Sequence, residues 1–208
     1  MGKTKELHRI ALRIRALAQN GLTYSKDEYD IERYHELIDL SNRITSLQTG
    51  LKEEKIDINY KPMKEYQTPK VDIRAVVFNE KEEILLVKEA ADGHWSLPGG
   101  WADIGYSPAE VAVKEVKEET GLEVVPERLL AVLDMSKHPH PAIPFYVYKM
   151  FIACRIAGGE FNQVFDIEDK GFFACDSLPP LSLERVLPEE ILRMRELYRA
   201  KEICTDLD

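Results

Sequence analysis

Residues 107–121 constrain the fold more tightly than any other stretch of this chain. Ser107 is followed by Pro108, and Glu110 stands three residues after Ser107, which predicts a capped helix start. Gly121 supplies the stop, because glycine takes the left-handed backbone of a helix C-terminus without a Cβ clash. Between these ends Ala109, Ala112, Val113 and Val116 form an apolar stripe, so one side of the helix must lie against other structure. Glu115, Glu118 and Glu119 fall at i, i+3 and i+4 and bring carboxylates together on another side. Like charges so placed repel by about 0.2–0.5 kcal/mol per pair. A solvated acidic face relieved by Lys114 and Lys117 is one reading of that cluster. A site that takes up a cation is the other.

The loop ahead of the helix favours the cation. Gly99 and Gly100 let backbone come close to a neighbour, and a glycine carbonyl is a hard oxygen ligand. Asp103 and Gly105 lead directly into the capped helix. Carboxylates and a carbonyl converging on one point suit Mg²⁺ or Mn²⁺, which prefer oxygen and keep waters for a phosphate substrate. The overall charge points the same way. With 28 Lys and Arg against 37 Asp and Glu, the 208-residue chain carries a formal −9 and would meet an anionic substrate only with a cation between them.

Composition excludes several other classes. No run approaches the roughly 18 apolar residues of a membrane helix, so no membrane role is expected. Met1 to His8 lacks the apolar core and cleavage site of a signal peptide, and a cytoplasmic location is expected. The three cysteines, Cys154, Cys175 and Cys204, lack the spacing of a disulfide framework or zinc knuckle.

The chain divides into a helical part, residues 1–66, and a mixed part, residues 67–208. Leu7, Ile10, Ile14 and Leu17, with Ala11 and Ala18 beside them, predict one helix that stops at Asn20-Gly21. Ser25 with Glu28 predicts a capping box for a second helix, with Tyr24 and Tyr29 as a hydrophobic staple. Its stripe is Tyr34, Leu37, Ile38, Ser41 and Ile44. Two helices alone bury too little surface, so this hairpin must pack on its own C-terminal domain or on a second copy, and the second copy is preferred. Lys3, Lys5, Arg9, Arg13 and Arg15 make the first helix basic, a weak hint of RNA without stacking aromatics. Residues 51–69, with Pro62 and Pro69, read as a linker. Strands follow: Val71 to Val77, then a hairpin turn at Asn79–Glu83 into Ile84–Val87, later Leu129–Met135 and Phe145–Ile156. A last helix is expected from Pro188 to about Lys201. Strands and helices mixed without strict βαβ alternation indicate an α+β class.

Gly100, Glu115, Val116, Glu118, Glu119, Gly121 and Leu122 stand at the spacing of the Nudix box, and the segment resembles that of the Nudix hydrolases. The resemblance implies an α/β/α sandwich with a mixed sheet, here preceded by a small all-α helical domain. It implies hydrolysis of a nucleoside diphosphate linked to another moiety, with Glu115, Glu118, Glu119 and the Gly100 carbonyl holding Mg²⁺ or Mn²⁺ and Glu119 and Glu118 serving catalysis. Tyr106 and Lys114 depart from the family's usual Glu and Arg, a facing pair. A Tyr–Lys pair keeps a hydrogen bond or cation–π contact but not the guanidinium fork.

The family often draws its general base from a loop after the box. Phe165-Asp166-Ile167-Glu168, ahead of Phe172-Phe173, makes Asp166 or Glu168 the candidates, with Glu119 as the alternative inside the box. Lys137, His138 and His140, in a proline-stiffened loop after a strand, are expected to contact substrate, as are Asp103 and Trp101. The helical N-terminus, the Lys137–Pro141 loop and the Gly158–Phe161 turn are similar to a bacterial subgroup labelled ADP-ribose pyrophosphatase that includes CDP-choline pyrophosphatases. This implies cleavage of CDP-choline to CMP and phosphocholine by a homodimer joined through the N-terminal helices. ADP-ribose or another nucleotide sugar, and nucleotide removal from RNA ends, are the alternative substrates. A non-catalytic nucleotide-sensing module is the alternative of another class.

Overall fold

The computed structural model describes residues 3–58, 66–144, 146–163, 166–200, 202 and 204–208, without the side chains of residues 3–5, 57 and 58. Pro62, Phe145, Phe165 and Lys201 lie outside the described residues. The chain forms two compact units. One takes the residues up to Pro69 together with Ala142–Tyr146, and the other takes Lys70–Pro141 and Val147–Asp208.

The first unit contains α1 (Lys3–Tyr24), α2 (Glu28–Thr49) and α3 (Glu53–Ile58). Helix α1 does not stop at Asn20-Gly21 but runs three residues beyond Gly21, to Tyr24. Gly21 instead makes room for Tyr34, whose ring lies where a Cβ would be, 2.4 Å from Cζ. Helix α2 is capped by Asp27, which accepts from the Asp30 N–H at 3.0 Å, and not by Ser25. Tyr24 and Tyr29 are both exposed and form no staple. An Asp two residues later than expected wins because its carboxylate reaches the free Asp30 N–H directly. Within residues 51–69 the expected linker contains a helix, α3, with Ile56 buried.

The seam between α1 and α2 is small and polar. Ala11, Ala18, Arg15 and Gln19 are buried on α1, and Ile38, Ser41, Asn42 and Thr45 on α2, while the buried His8 has its Nε2 2.8 Å from the Ile143 carbonyl. Ser41 Oγ donates to the Ala11 carbonyl at 2.7 Å, and Arg15 donates to Asn42 Oδ1. The large residues of the expected stripe face the other way: Leu7, Ile10 and Leu17 of α1 and Leu37 of α2 are exposed. Alanines allow the close approach of the two helices, and most of the larger residues of the stripe remain on the outside, while Ile38 and Ser41 are buried. Two of the basic residues on α1 are occupied internally, Arg15 as above and Arg9 with Glu6 at 3.3 Å. That weakens the hint of RNA.

The second unit is an α+β domain with a mixed sheet. Strands β1 (Lys70–Val77), β2 (Ile84–Glu89), β3 (Trp95–Ser96) and β4 (Gly99–Trp101) precede α4 (Pro108–Thr120). Then come β5 (Leu122–Asp134), a 3₁₀ turn (Met135–Lys137), β6 (Val147–Gly159), β7 (Ile167–Phe173), α5 (Pro188–Arg199) and β8 (Asp206–Leu207). One sheet has the order β4-β1-β6-β5-β8, with β1 parallel to β6 and antiparallel to β4. The other has the order β3-β2-β7. The expected β1–β2 hairpin is only a turn: Asn79 N–H donates to the Glu83 carbonyl at 3.0 Å and Phe78 bridges Ile84, after which the strands enter different sheets. Strand β1 has both faces covered, so its pattern does not reveal which neighbour it pairs with.

Those two faces build two cores. Ile73, Ala75 and Val77 meet Val111, Ala112 and Val116 of α4, while Val76 lies with Leu86, Leu97, Phe151 and, from α5, Ile191 and Met194. Helix α4 is capped as its sequence predicts. Ser107 Oγ accepts from the Glu110 N–H at 3.3 Å and Glu110 Oε2 from the Ser107 N–H at 2.7 Å, with Gly121 left-handed at φ 86°. Burying Val111 and Val116 stabilises this placement by about 1.5–3 kcal/mol each. The acidic side of the helix is thereby fixed in position.

Candidate active site

Strand β4 is the partner of that acidic side. It pairs antiparallel with β1, placing Gly99 opposite Arg74 and Gly100 opposite Ile73. Gly99 is pressed onto β1 at φ 149°, and a Cβ there would stand 2.0 Å from the Ile73 carbonyl oxygen, so only glycine fits. Its N–H donates to Glu119 Oε2 at 3.0 Å. A Cβ on Gly100 would stand 3.3 Å from Glu115 Oε1, so the second glycine opens backbone to that carboxylate. The glycine strand and the helix therefore meet where Glu115 and Glu119 emerge.

Glu119 is the most perturbed of these acids. Burial pushes its carboxyl up to about 8, and neighbouring Glu89 and Glu115 add to that, while the Arg74 guanidinium and the Gly99 N–H pull the other way. At neutral pH an acid held so high keeps its proton unless a cation takes the proton's place. Glu118 is exposed, on the solvent side of the cluster.

Lys114 turns to the carboxylates. Its Nζ lies 3.2 Å from Glu118, 3.4 Å from Glu115 and 3.5 Å from Asp103. The Glu118 hydrogen bond, with the Glu115 charge behind it, holds this ammonium well above the usual lysine range. Among the described residues Lys114 makes neither a hydrogen bond nor a cation–π contact with Tyr106, which is half-exposed, so the bond expected of the facing pair does not form. A single ammonium goes to the nearest negative charges, and the phenol has none to offer.

Behind β4 lies a buried charge network that pattern reading passed over. Arg74 Nη2 lies 2.9 Å from Asp72 Oδ1, and its Nε donates to Oδ2 at 3.1 Å. Arg74 Nη1 donates to the Leu97 carbonyl at 3.0 Å, just ahead of the glycines. Lys149 Nζ reaches Asp72 Oδ2 at 2.6 Å and donates to the Arg185 carbonyl. Burial alone would raise Asp72, yet Arg74 and Lys149 outweigh it and hold the carboxyl below its ordinary value. Glu89 accepts from Ser96 Oγ at 2.9 Å and pairs with Arg185 at 3.3 Å. The signal for this network was present as charged residues inside strands covered on both faces.

The remaining expected site residues scatter. Trp101 ends β4, exposed, with Lys70 Nζ 5.2 Å above its ring. Asp166 is exposed just before β7, while Glu168 on β7 pairs with Lys88 at 2.7 Å. Lys137 is exposed. His138 lies 3.1 Å from the Asp208 carboxylate. His140 is the correction: it is buried, with Nδ1 2.7 Å from the Leu183 carbonyl and Nε2 3.0 Å from Glu190 Oε1. One ring nitrogen is committed to the segment ahead of α5 and the other to its first turn, leaving none to offer a substrate. Among the described residues no three His, Cys, Asp or Glu side chains stand close enough to hold an ion as they are, so Glu115, Glu118 and Glu119 form a neighbourhood and not a finished cage.

A family model described as the NUDIX domain matches residues 68–200. Another, described as a UDP-X-like N-terminal oligomerisation domain, matches residues 5–58. The chain is 46% identical over 206 residues to a Bacillus subtilis (strain 168) protein named "Putative ADP-ribose pyrophosphatase YjhB", covering 99% of this chain and 98% of that one. Among solved structures, an ADP-ribose pyrophosphatase from Streptococcus suis 89-1591 is 45% identical, with TM-score 0.62 over 68% of this chain and 100% of that one. A structure described as UDP-X diphosphatase is 35% identical, with TM-score 0.64 over 100% of both chains.

Proposed function

We propose that this chain, which belongs to the Nudix family of pyrophosphohydrolases, hydrolyses the diphosphate bond of a nucleoside diphosphate linked to a sugar, with ADP-ribose as its leading substrate. The observation that carries the reading is the buried Glu119 carboxylate, pinned by the Gly99 N–H beside Glu115 on one capped helix. ADP-ribose comes from the names borne by relatives of high identity.

Hard oxygen donors fit a divalent cation, and Glu115, Glu118, Glu119 and the Gly100 carbonyl would hold Mg²⁺ or Mn²⁺. Such an ion supplies neutralisation of phosphoryl charge and a more acidic attacking water. The chain's own groups do the rest. Lys114 sets a positive charge among Asp103, Glu115 and Glu118. Asp166 takes the proton of the attacking water, in preference to Glu168, whose carboxylate is tied to Lys88. Asp166→Asn is expected to lower kcat by about a hundredfold and remove the acid limb of the pH–rate profile, whereas Glu168→Gln leaves both nearly unchanged. The reverse pattern would move the base to Glu168, and no effect in either would return the role to Glu119.

CDP-choline is a second reading, favoured by one observation. The exposed Trp101 ring carries an ammonium, that of Lys70, over its face, and a quaternary ammonium headgroup is recognised by the same attraction. Steady-state assays on ADP-ribose, CDP-choline, GDP-mannose and a short RNA separate these. If CDP-choline is a substrate, Trp101→Ala raises its KM by about tenfold and leaves that of ADP-ribose alone. Failure of the wild-type protein to turn over either nucleotide would refute the proposal.

Two further proposals go with this reading. The description of the N-terminal family as an oligomerisation domain, with the outward apolar face of the hairpin, supports a homodimer. The free thiols of Cys154, Cys175 and Cys204 support a cytoplasmic setting, and no described helix is long and apolar enough to cross a membrane.

A further inference from the structure

Lys114 is placed as a cation among ligands. Its ammonium lies within 3.5 Å of carboxylates from three residues, Asp103 on the loop and Glu115 and Glu118 on α4. A surface helix pair would explain Glu118 alone, since only that residue is at i+4. The other lysine on the helix, Lys117, turns to the Gly121 carbonyl and Glu123. The direction taken by Lys114 is therefore a property of the cluster and not of α4 in general.

The contacts are also loose. They measure 3.2–3.5 Å, against 2.6 Å for the buried Lys149–Asp72 pair, and the Lys114 side chain keeps 28% of its surface exposed. Strong charge-assisted bonds run at about 2.7–2.9 Å. A long, flexible stem with a point charge can leave such partners for water at small cost, whereas a guanidinium fork in the same place would hold them.

We propose that the Lys114 ammonium is the resident counter-ion of these carboxylates and a competitor of the divalent cation, so that Lys114 sets the concentration at which this chain loads metal. The proposal rests on the reading that the acids of α4 hold the ion. Its physical content is that a positive charge beside the ligands relieves their repulsion while the site is free of metal and repels the incoming ion.

The test measures Mn²⁺ binding by the full-length protein without substrate, from the paramagnetic resonance signal of free Mn²⁺. Removing the charge in Lys114→Met is expected to tighten binding by roughly tenfold, an effect that shrinks at high salt. Lys114→Arg is expected to bind no tighter than wild type. In EDTA the Lys114→Met protein should melt below wild type, because its carboxylates are unrelieved, and saturating Mn²⁺ should raise its melting temperature by more. Lys114→Met binding with wild-type or lower affinity would overturn the proposal and make Lys114 a residue that positions the ligands. Absence of Mn²⁺ binding by wild type would instead overturn the metal-site reading beneath it.

Discussion

Glu119→Gln is expected to lower kcat by roughly a thousandfold, equivalent to about 4 kcal/mol of lost transition-state stabilisation, while making the metal-free protein more stable above neutral pH. The two effects have opposite signs for one reason. Glutamine is nearly isosteric, and its side-chain oxygen still accepts from the Gly99 N–H that Glu119 holds at 3.0 Å. What disappears is a charge that the folded chain keeps largely out of water and beside Glu89 and Glu115.

The pH window follows from the same shift. The folded carboxyl titrates at about 8 against a reference of 4.5, so between those values the native state binds more protons than the unfolded one. Wild-type stability in EDTA therefore falls as pH rises from 4.5 through 8, and the loss is on the order of a few kcal/mol once complete. The glutamine variant lacks that slope. Thermal melts in EDTA from pH 5 to pH 9 should diverge steadily, and added Mn²⁺ should recover stability in wild type only. Parallel curves would mean that Glu119 is not the buried acid of the site. Retained kcat would mean that it is not a ligand.

Legibility in the sequence tracked the distance between the residues that cooperate. The cap of α4, its stop at Gly121 and its acidic side were all readable, because each depends on neighbours within a turn or two of helix. So was the closeness of Gly99 and Gly100 to something, although not to what: the Ile73 carbonyl and Glu119 lie on other elements. Of the Arg74–Asp72–Lys149 network only the charges within strands were readable and their pairing was not, because Lys149 and Asp72 are 77 residues apart and meet through the parallel pairing of β1 with β6. His140 was misread for a related reason. A histidine in a proline-rich loop looks available until Glu190, 50 residues on, is seen to hold it. Local patterns specify elements, whereas burial of polar groups is decided by partners from elsewhere in the chain.

The largest assembly effect is expected from the outer face of the N-terminal hairpin. Periodicity detected an apolar stripe there without revealing what covers it. Leu7, Ile10, Ile14 and Leu17 on α1 repeat at 3-4-3 spacing, and Leu37, Leu40, Ile44 and Leu47 on α2 repeat it again. This is the spacing of helices that supercoil against apolar partners. Yet the seam between α1 and α2 is made from Ala11, Ala18, Ser41 and Asn42, and six of those eight larger residues are exposed. A second copy of the hairpin would supply a matching stripe, and the pair would then have the arrangement of a four-helix bundle. In a two-fold interface each substitution is felt twice. Ile10→Asp with Leu17→Asp therefore removes four buried side chains per dimer at about 2 kcal/mol each, weakening association by on the order of 10⁵-fold or more. Sedimentation equilibrium should find the doubly substituted chain monomeric at micromolar concentration where wild type is dimeric. Its helical circular dichroism should be retained, because Ser41 with Ala11 and Arg15 with Asn42 hold the hairpin from the inside. If the doubly charged variant sediments as wild type does, the stripe is covered by something other than its own copy.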